Sequence, residues 1–194
     1  SNKKWLCKEY NLDVKKPLFV FIGRLVGEKG ADLFPEIFKE ALAENNISIL
    51  LLGSGYEKIE EALASIPQEN FNKFIGYDEK LAHVMYAGAD FLLMPSRVEP
   101  CGLNQMYSLR YGTVPIVNAI GGLKDTIIDI TKENGFGVVH HGVTIEKVTS
   151  AITKASIYFN QKEFKKNLKK MMQIDHSWSH SAQAYVNLYK SLKN

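Results

Sequence analysis

Short apolar runs, rich in β-branched and aromatic residues, alternate along this chain with segments of helical periodicity. The first run covers residues 17–23 and has no polar face, which predicts a strand buried on both sides. Residues 31–44 follow, and in a helix Leu33, Phe34 and Ile37 would share one face. Repeated alternation of this kind predicts an α/β fold in which helices cover both faces of a parallel sheet.

Further strands and helices complete the predicted order. The strands are predicted at residues 47–52, 70–75, 89–94, 114–117 and 136–139. The helices are predicted at residues 56–65, 78–87, 103–111, 121–130, 144–159, 163–172 and 177–192. Right-handed crossovers favour the strand order 3-2-1-4-5-6, a Rossmann-like doubly wound sheet of about six strands. Strands 1 and 4 are neighbours in this order and their following loops diverge, so a ligand-binding crevice is predicted at their carboxyl ends.

The chain is predicted to divide into three segments. Residues 1–16 form a lead-in segment, residues 17–175 the Rossmann-like domain, and residues 176–194 a C-terminal helix. The length of 194 residues suits one large domain, and 45% hydrophobic with 23% charged residues is a globular composition. Cys7 and Cys101 are interpreted as free thiols in a reducing compartment.

Composition also argues against several classes of partner. The net charge of +3 is mild and no dense Lys/Arg stripe occurs, so no nucleic acid is expected; residues 162–170 are interpreted as a solvated helix face. No apolar run approaches the roughly 18 residues of a membrane span, so no membrane is expected. His176 and His180 lack the intervening Glu of a His-Glu-x-x-His site, and no metal is expected.

Cationic side chains follow the first predicted strand. Arg24 and Lys29 lie five residues apart in the loop of residues 23–30, which is bounded by glycines. A planar Arg fork with a flexible Lys charge suits a diphosphate, although spacing alone fits two solvated surface cations equally well. The loop lacks the Gly-x-x-x-x-Gly-Lys-Ser/Thr pattern of a Walker A loop.

A proline-punctuated turn follows the fourth predicted strand, in residues 94–105. Gly102 lets the backbone approach a ligand, and the free N–H groups at the start of the next helix favour an anion. Glu99 is suited instead to accept hydrogen bonds from hydroxyl groups, as on a sugar. The alternatives for Glu99 are a solvated loop carboxylate or a salt bridge to Arg97.

The turn and the segments after it resemble a known family. The pattern Pro95-Ser-Arg-x-Glu-Pro-Cys-Gly-Leu-x-Gln105, then Tyr111-Gly-Thr-x-Pro115 and Gly121-Gly-Leu-x-Asp-Thr126, is similar to the nucleotide-sugar half of glycogen and starch synthases. These are retaining glucosyltransferases with two Rossmann-like domains, the GT-B fold. The resemblance extends over about residues 17–192.

The resemblance implies a donor-binding C-terminal domain. The family transfers glucose from ADP-glucose or UDP-glucose to an α-1,4-glucan with retention, without a cofactor, in the cytoplasm or the plastid stroma. The glucan acceptor would engage an N-terminal domain whose Lys-x-Gly-Gly loop and catalytic histidine have no match here, so this chain alone is expected to turn over little or no substrate. The apolar stripe of the last predicted helix (Trp178, Tyr185, Leu188, Tyr189) is expected to pack rather than bind ligand, and in the family that helix leans toward the other domain.

The resemblance also implies roles for individual residues. Arg24 and Lys29 match the pair that clamps the diphosphate and neutralises charge on the departing ADP or UDP, and Glu99 matches the glutamate that binds glucose hydroxyls. These three are the predicted catalytic residues. The other predicted donor contacts are Gly53, Gly55, Tyr77, Cys101, Gly102, Leu103, Asn104, Tyr107, Gly121, Gly122 and Thr126.

Some of these contacts have a specific predicted function. Tyr77 is expected to stack on the base, and Gly53 and Gly55 to let the nucleoside lie on the backbone. Backbone N–H groups of residues 101–103 are expected to face the sugar and phosphate. Tyr107 stands where related GT-B enzymes carry a ribose-binding glutamate, which leaves the ribose contact open.

Three other functions fit parts of the sequence. One is another GT-B glycosyltransferase, such as a sucrose synthase-like enzyme. The second is a non-catalytic nucleotide-binding module, in which glucose would add nothing to ADP binding. An NAD dehydrogenase fits the fold, but no Gly-x-Gly-x-x-Gly follows the first strand.

Overall fold

The computed structural model contains a six-stranded, all-parallel sheet in the order β3-β2-β1-β4-β5-β6, which confirms the predicted topology. It describes residues 1–67 and 69–193; Gln68 in the predicted domain and Asn194 in the predicted C-terminal segment lie outside the described residues. The strands are β1 Leu18–Ile22, β2 Ser48–Gly53, β3 Phe71–Ile75, β4 Phe91–Met94, β5 Val114–Asn118 and β6 Val138–His140.

Helices cover both faces of the sheet. They are α1 Asn2–Glu9, α2 Phe34–Glu44, α3 Glu57–Leu63, α4 Glu79–Gly88, α5 Asn104–Tyr111, α6 Gly121–Thr126, α7 Ile145–Phe159, α8 Lys162–Met171 and α9 Trp178–Ser191. Two 3-10 turns, Gly27–Lys29 and Ala31–Leu33, precede α2. The predicted cap of α4 is confirmed, since the Asp78 carboxylate accepts from the Leu81 N–H at 2.8 Å.

The core lies where β1 meets β4. Phe19 of β1 is in register with Phe91 of β4, both are fully buried, and their rings stack with centroids 4.7 Å apart. Phe34 and Phe38 of α2 extend this aromatic layer on one face of the sheet. The crevice at the ends of β1 and β4 therefore lies next to a fully buried aromatic layer.

The predicted lead-in segment contains a helix that packs on the domain. In α1, Leu6 and Cys7 are buried, and a Cβ at Gly88 of α4 would clash with Leu6. Lys3 Nζ donates to Asp90 Oδ2 at 2.7 Å, and the same oxygen accepts the Leu18 N–H at 2.7 Å. Helix α1 thus joins the beginning of β1 to the segment that leads into β4.

The predicted helix at residues 121–130 is correct only to Thr126. Asp129 ends the segment because its carboxylate accepts from the Thr131 and Val139 N–H groups and from Lys154 Nζ. Burial opposes ionisation of Asp129, but hydrogen bonds from the Thr131 hydroxyl, from Lys154 and from the two N–H groups outweigh it and hold its pKa at about 2. The chain therefore bends toward β6 instead of continuing the helix.

Helix α9 has no buried residue, and its Trp178 side chain is 87% exposed. The predicted apolar stripe of this helix does not pack on the described part of the domain. Across residues 1–67 and 69–193, no helix combines the length and apolarity needed to cross a bilayer.

Candidate functional site

Two loops meet at the carboxyl ends of β1 and β4. We call residues 23–30 the cation loop and residues 95–103 the carboxylate turn. Lys29 Nζ of the cation loop donates to Glu99 Oε2 of the carboxylate turn at 2.5 Å, although the two residues are 70 apart in sequence. The side chains are 22% and 11% exposed, respectively. The predicted meeting of these segments is therefore present in the structure.

Arg97 joins the same two loops a second time. Its guanidinium binds both carboxylate oxygens of Asp32, at 2.6 and 3.1 Å, and its N–H donates to the Glu28 carbonyl at 2.8 Å. The sequence suggests Arg97 as a salt-bridge partner of Glu99, but that pair is not formed. No local signal identifies Asp32 as the partner, because it lies 65 residues away.

Arg24 occupies a different environment from Lys29. Its side chain is 69% exposed and its only described ion pair is a 3.4 Å contact with Glu28. An exposed pair of this length contributes little stability. The Arg24 guanidinium is therefore free to turn toward a ligand in the adjacent cleft, which it lines.

That cleft has a volume of about 360 Å³ and opens beside the ends of β1, β2 and β3. Four predicted donor contacts line it, Gly53, Tyr77, Asn104 and Tyr107. Tyr77 is 85% exposed, so its ring is free to move. Asn104 donates from its amide to the Ile22 carbonyl at 2.8 Å, which fastens the start of α5 to the end of β1.

Aromatic side chains that sequence analysis missed form the inner wall of the cleft. His83 and Tyr86 of α4 line it beside Tyr107, whose ring meets Tyr86 edge-on at 5.9 Å. His83 Nδ1 lies 3.1 Å from the Tyr111 hydroxyl. Burial, with a smaller contribution from Tyr107, raises the pKa of Tyr86, so its hydroxyl stays neutral. The helical spacing of His83 with Tyr86, and of Tyr107 with Tyr111, is a signal that could have pointed to this wall.

The two predicted nucleoside glycines differ in position. Gly53 lies at the cleft, and a Cβ there would overlap the Gly23 carbonyl. Gly55 lies outside the cleft lining, and a Cβ there would overlap the Leu25 carbonyl. The β-bridge between the backbones of Gly55 and Leu25 explains why position 55 is a glycine.

The start of α5 presents free donors, as predicted. In the part of the chain that the structure describes, the N–H groups of Cys101, Gly102 and Leu103 donate to no backbone carbonyl. Gly102 has φ +75°, and a Cβ there would clash with the Gln105 side chain. Cys101 and Leu103 are exposed, whereas Gly102 between them is buried.

Gln105, also missed, holds the carboxylate turn against α6. Its side chain is fully buried, and Nε2 donates to the carbonyls of Cys101 and Gly102 and to Thr126 Oγ1, at 3.0–3.2 Å. Thr126 Oγ1 in turn donates to the Gly122 carbonyl at 2.6 Å. The predicted ligand contact Thr126 thus has a structural partner.

Close packing of α6 against the carboxylate turn also explains the glycines at positions 121 and 122. Gly121 has φ +43°, a Cβ at Gly121 would overlap the Glu99 carbonyl, and one at Gly122 would overlap the Cys101 carbonyl. The Gly122 N–H donates to the Glu99 carbonyl at 3.1 Å. These glycines let α6 approach the carboxylate turn, and they lie outside the lining of the 360 Å³ cleft.

The doubly wound sheet, with a crevice at the switch point between β1 and β4, places the chain in the Rossmann-like class of α/β domains. The sequence matches the family described as "Glycosyl transferases group 1" over residues 3–173. The chain belongs to this glycosyltransferase family, and its fold is that of a GT-B Rossmann-like domain.

The relatives that the chain resembles in sequence include several glycogen synthases. The chain is 48% identical to the glycogen synthase of Flavobacterium johnsoniae, covering 97% of this chain and 41% of the relative. It is 43% identical to the glycogen synthase of Fervidobacterium nodosum, covering 100% of this chain and 41% of the relative. The chain thus spans about two fifths of the length of these relatives.

Among solved structures, the catalytic domain of starch synthase IV from Arabidopsis thaliana, bound to ADP and acarbose, superposes with a TM-score of 0.87 at 32% identity. The alignment covers 98% of this chain and 42% of that one. Sucrose-phosphate synthase from Thermosynechococcus elongatus superposes with a TM-score of 0.70 at 23% identity and shares the fold.

Proposed function

We propose that this chain is the donor-binding domain of a glycogen or starch synthase, which transfers glucose from a nucleoside diphosphate glucose to the non-reducing end of an α-1,4-glucan with retention. The observation that carries the proposal is the contact between Lys29 and Glu99 at the switch point. It places a cation and a carboxylate at one crevice, beside free N–H groups of the α5 start. In a nucleoside diphosphate glucose the phosphate and the sugar are joined by one bond, so the groups that bind them must lie side by side.

Lys29 and Glu99 satisfy each other while no donor is bound. The donor diphosphate would attract the Lys29 ammonium, and Arg24 would turn in from solvent to join it. Glu99 Oε2 would then accept a glucose hydroxyl in place of the ammonium. Charge developing on the departing diphosphate is stabilised by the two cations and by the α5 N–H groups.

The 360 Å³ cleft is the proposed nucleoside site. Tyr77 stacks on the base at its mouth, Gly53 leaves room for the sugar against the backbone, and the wall of His83, Tyr86 and Tyr107 encloses the ribose. ADP-glucose is the favoured donor over UDP-glucose, because the Arabidopsis starch synthase IV structure, at 32% identity, was obtained with ADP.

The remaining parts of the proposal concern the whole protein. The glucan acceptor binds across the crevice on a second domain, which is consistent with the two fifths of the relatives that this chain covers. The chain alone then binds donor but turns over little or none. No cofactor takes part, and the bacterial cytoplasm or the plastid stroma is the proposed compartment.

The test is calorimetric titration of the chain with ADP, UDP, ADP-glucose and UDP-glucose. Arg24→Ala and Lys29→Ala should each weaken ADP binding by about 1.5–3 kcal/mol, the contribution of a hydrogen bond to a charged group. Glu99→Ala should weaken ADP-glucose relative to ADP, because the carboxylate that accepts from glucose is lost while Lys29 remains for the diphosphate. Lys39→Ala is the control, since this exposed lysine lies beside the residues that lead into β2, at the opposite end of the sheet.

The outcomes separate the alternatives. A non-catalytic nucleotide module would bind ADP and ADP-glucose equally, and Glu99→Ala would be silent. A different GT-B enzyme would prefer another nucleotide sugar in competition. Unchanged ADP binding in both cation variants would reject the proposed diphosphate site.

A further inference from the structure

Glu99 is held by a second donor besides Lys29. Ser96 Oγ donates to Glu99 Oε2 at 3.1 Å, the same oxygen that accepts Lys29 Nζ. Ser96 is 2% exposed, so its hydroxyl has no contact with bulk water. Glu99 Oε1 accepts no hydrogen bond from the described residues, which leaves one carboxylate oxygen for a ligand.

Ser96 is itself fixed from the neighbouring strand. Asn118, the last residue of β5, is 7% exposed and donates from Nδ2 to the Ser96 carbonyl at 2.8 Å. Asn118 Oδ1 accepts the Gly142 N–H at 2.9 Å. Because one end of the amide faces a carbonyl and the other faces an N–H, only one orientation satisfies both contacts.

The Gly142 end of this connection is also anchored. His140, the last residue of β6, has Nδ1 3.0 Å from the Gly142 carbonyl, and it is buried. A continuous set of contacts therefore runs from the end of β6 through Asn118 and Ser96 to Glu99. Three neighbouring strand ends determine where one carboxylate points.

We propose that Ser96 and Asn118 are positioning residues for the donor sugar: Asn118 fixes the backbone of Ser96, and the Ser96 hydroxyl orients the Glu99 carboxylate. This inference rests on the proposed function, in which Glu99 binds glucose hydroxyls. When Lys29 turns to the diphosphate, Ser96 stays bound to Oε2 and keeps the carboxylate aimed at the sugar. The contribution of Ser96 is therefore realised with ADP-glucose and absent with ADP.

The experiment measures the glucose contribution, defined as the ratio of the ADP to the ADP-glucose dissociation constant, by calorimetry on the whole chain. Ser96→Ala should reduce this ratio about tenfold, the effect of losing one hydrogen bond to a charged group, and leave ADP binding unchanged. Ser96→Cys fills the same space with a weaker donor, so it should behave like Ser96→Ala without leaving a cavity.

A double-mutant cycle separates positioning from general structure. In a Glu99→Ala background, Ser96→Ala should have no further effect on the ratio, because the group that it orients is gone. Asn118→Asp keeps the acceptor for Gly142 but places an oxygen against the Ser96 carbonyl, and it should show the same selective loss. Ser48→Ala is the matched control, a fully buried serine at the amino end of β2.

Three results would overturn the positioning role alone. In the first, Glu99→Ala reduces the ratio of dissociation constants but Ser96→Ala and Ser96→Cys do not. In the second, Ser96→Ala weakens ADP and ADP-glucose binding equally. In the third, Ser96→Ala has its full effect on the ratio even in the Glu99→Ala background. If the unchanged chain and Glu99→Ala both bind ADP and ADP-glucose equally, the proposed function itself fails, and the positioning role fails with it.

Discussion

The two loops of the crevice differ in how firmly they are held. Within the carboxylate turn, Ser96 binds the Glu99 carboxylate, and Asn118 and Gln105 bind backbone carbonyls of the turn. All three residues are buried. The cation loop contains one 3-10 turn, Gly27–Lys29, and its Arg24 side chain extends into solvent. The difference indicates that the group proposed to bind the neutral sugar is preorganised, while Arg24, one of the two cations proposed to bind the diphosphate, keeps its conformational freedom.

The largest test of this comparison uses one glycine from each side. Gly122→Ala would place a Cβ on the Cys101 carbonyl, so it should destabilise the fold by about 3 kcal/mol. Gly27→Ala in the cation loop meets only ordinary contacts, at 3.9 Å, and should stay within about 0.5 kcal/mol. Urea unfolding measures both, and similar losses would show that the two loops are equally rigid.

The second test compares the two cations. Lys29→Met leaves the largely buried Glu99 without its cation and should cost about 2 kcal/mol of stability, whereas Arg24→Met should cost less than about 0.5 kcal/mol. Both should weaken ADP binding. Adding Glu99→Gln to Lys29→Met should recover stability, because the unpaired charge is removed. Equal stability losses for the two cations would contradict the comparison.

The third test weakens the contact between the carboxylate turn and the 3-10 turn Ala31–Leu33 that follows the cation loop. Arg97→Lys loses the planar fork that binds Asp32 and should cost about 1 kcal/mol, because the pair is partly exposed. Asp32→Asn provides the matched change on the other side, and the two losses should be less than additive. Fully additive losses in thermal or urea unfolding would mean that Arg97 and Asp32 do not stabilise the fold as a pair.

The smallest effect is expected from pH. Burial, then His141 and Lys147, lower the pKa of His140 against the opposing bond to the Gly142 carbonyl. The unfolded histidine, with a pKa of about 6.5, then binds a proton more readily than the folded one, so stability is lost as pH falls below about 6.5. His140→Asn should reduce this loss in urea unfolding, and a variant of His141 should reduce it less, because His141 is a smaller cause of the lowered pKa than burial. An unchanged pH dependence in His140→Asn would contradict the assignment.

The sequence predicted the framework of the site better than its connections. Strand order follows from periodicity and crossover handedness, which are local or general rules, and these placed Lys29 and Glu99 at one crevice. The Arg97–Asp32 and Ser96–Asn118 contacts join residues distant in sequence, so no local spacing announces them. Periodicity also predicted that the helix continues beyond Thr126, which is wrong because the hydrogen bond of Asp129 to the β6 backbone overrides helix propensity.

Helix α1 shows the same limitation on the scale of a whole element. Its composition is mostly polar, and only Leu6 and Cys7 are buried. Their burial depends on the absence of a side chain at Gly88, more than eighty positions later. Whether a short segment of this kind forms a packed helix depends on the surface that it packs against. That surface is formed by residues distant in sequence, so local patterns do not predict it.

The buried amide of Gln105 has a kinetic consequence. One side chain binds two carbonyls of the carboxylate turn and the hydroxyl of Thr126, so neither the turn nor α6 is able to open without breaking bonds of the other. Backbone amides of the two segments should therefore exchange with deuterium at a common rate, as a single cooperative unit. In Gln105→Ala the two exchange rates should separate.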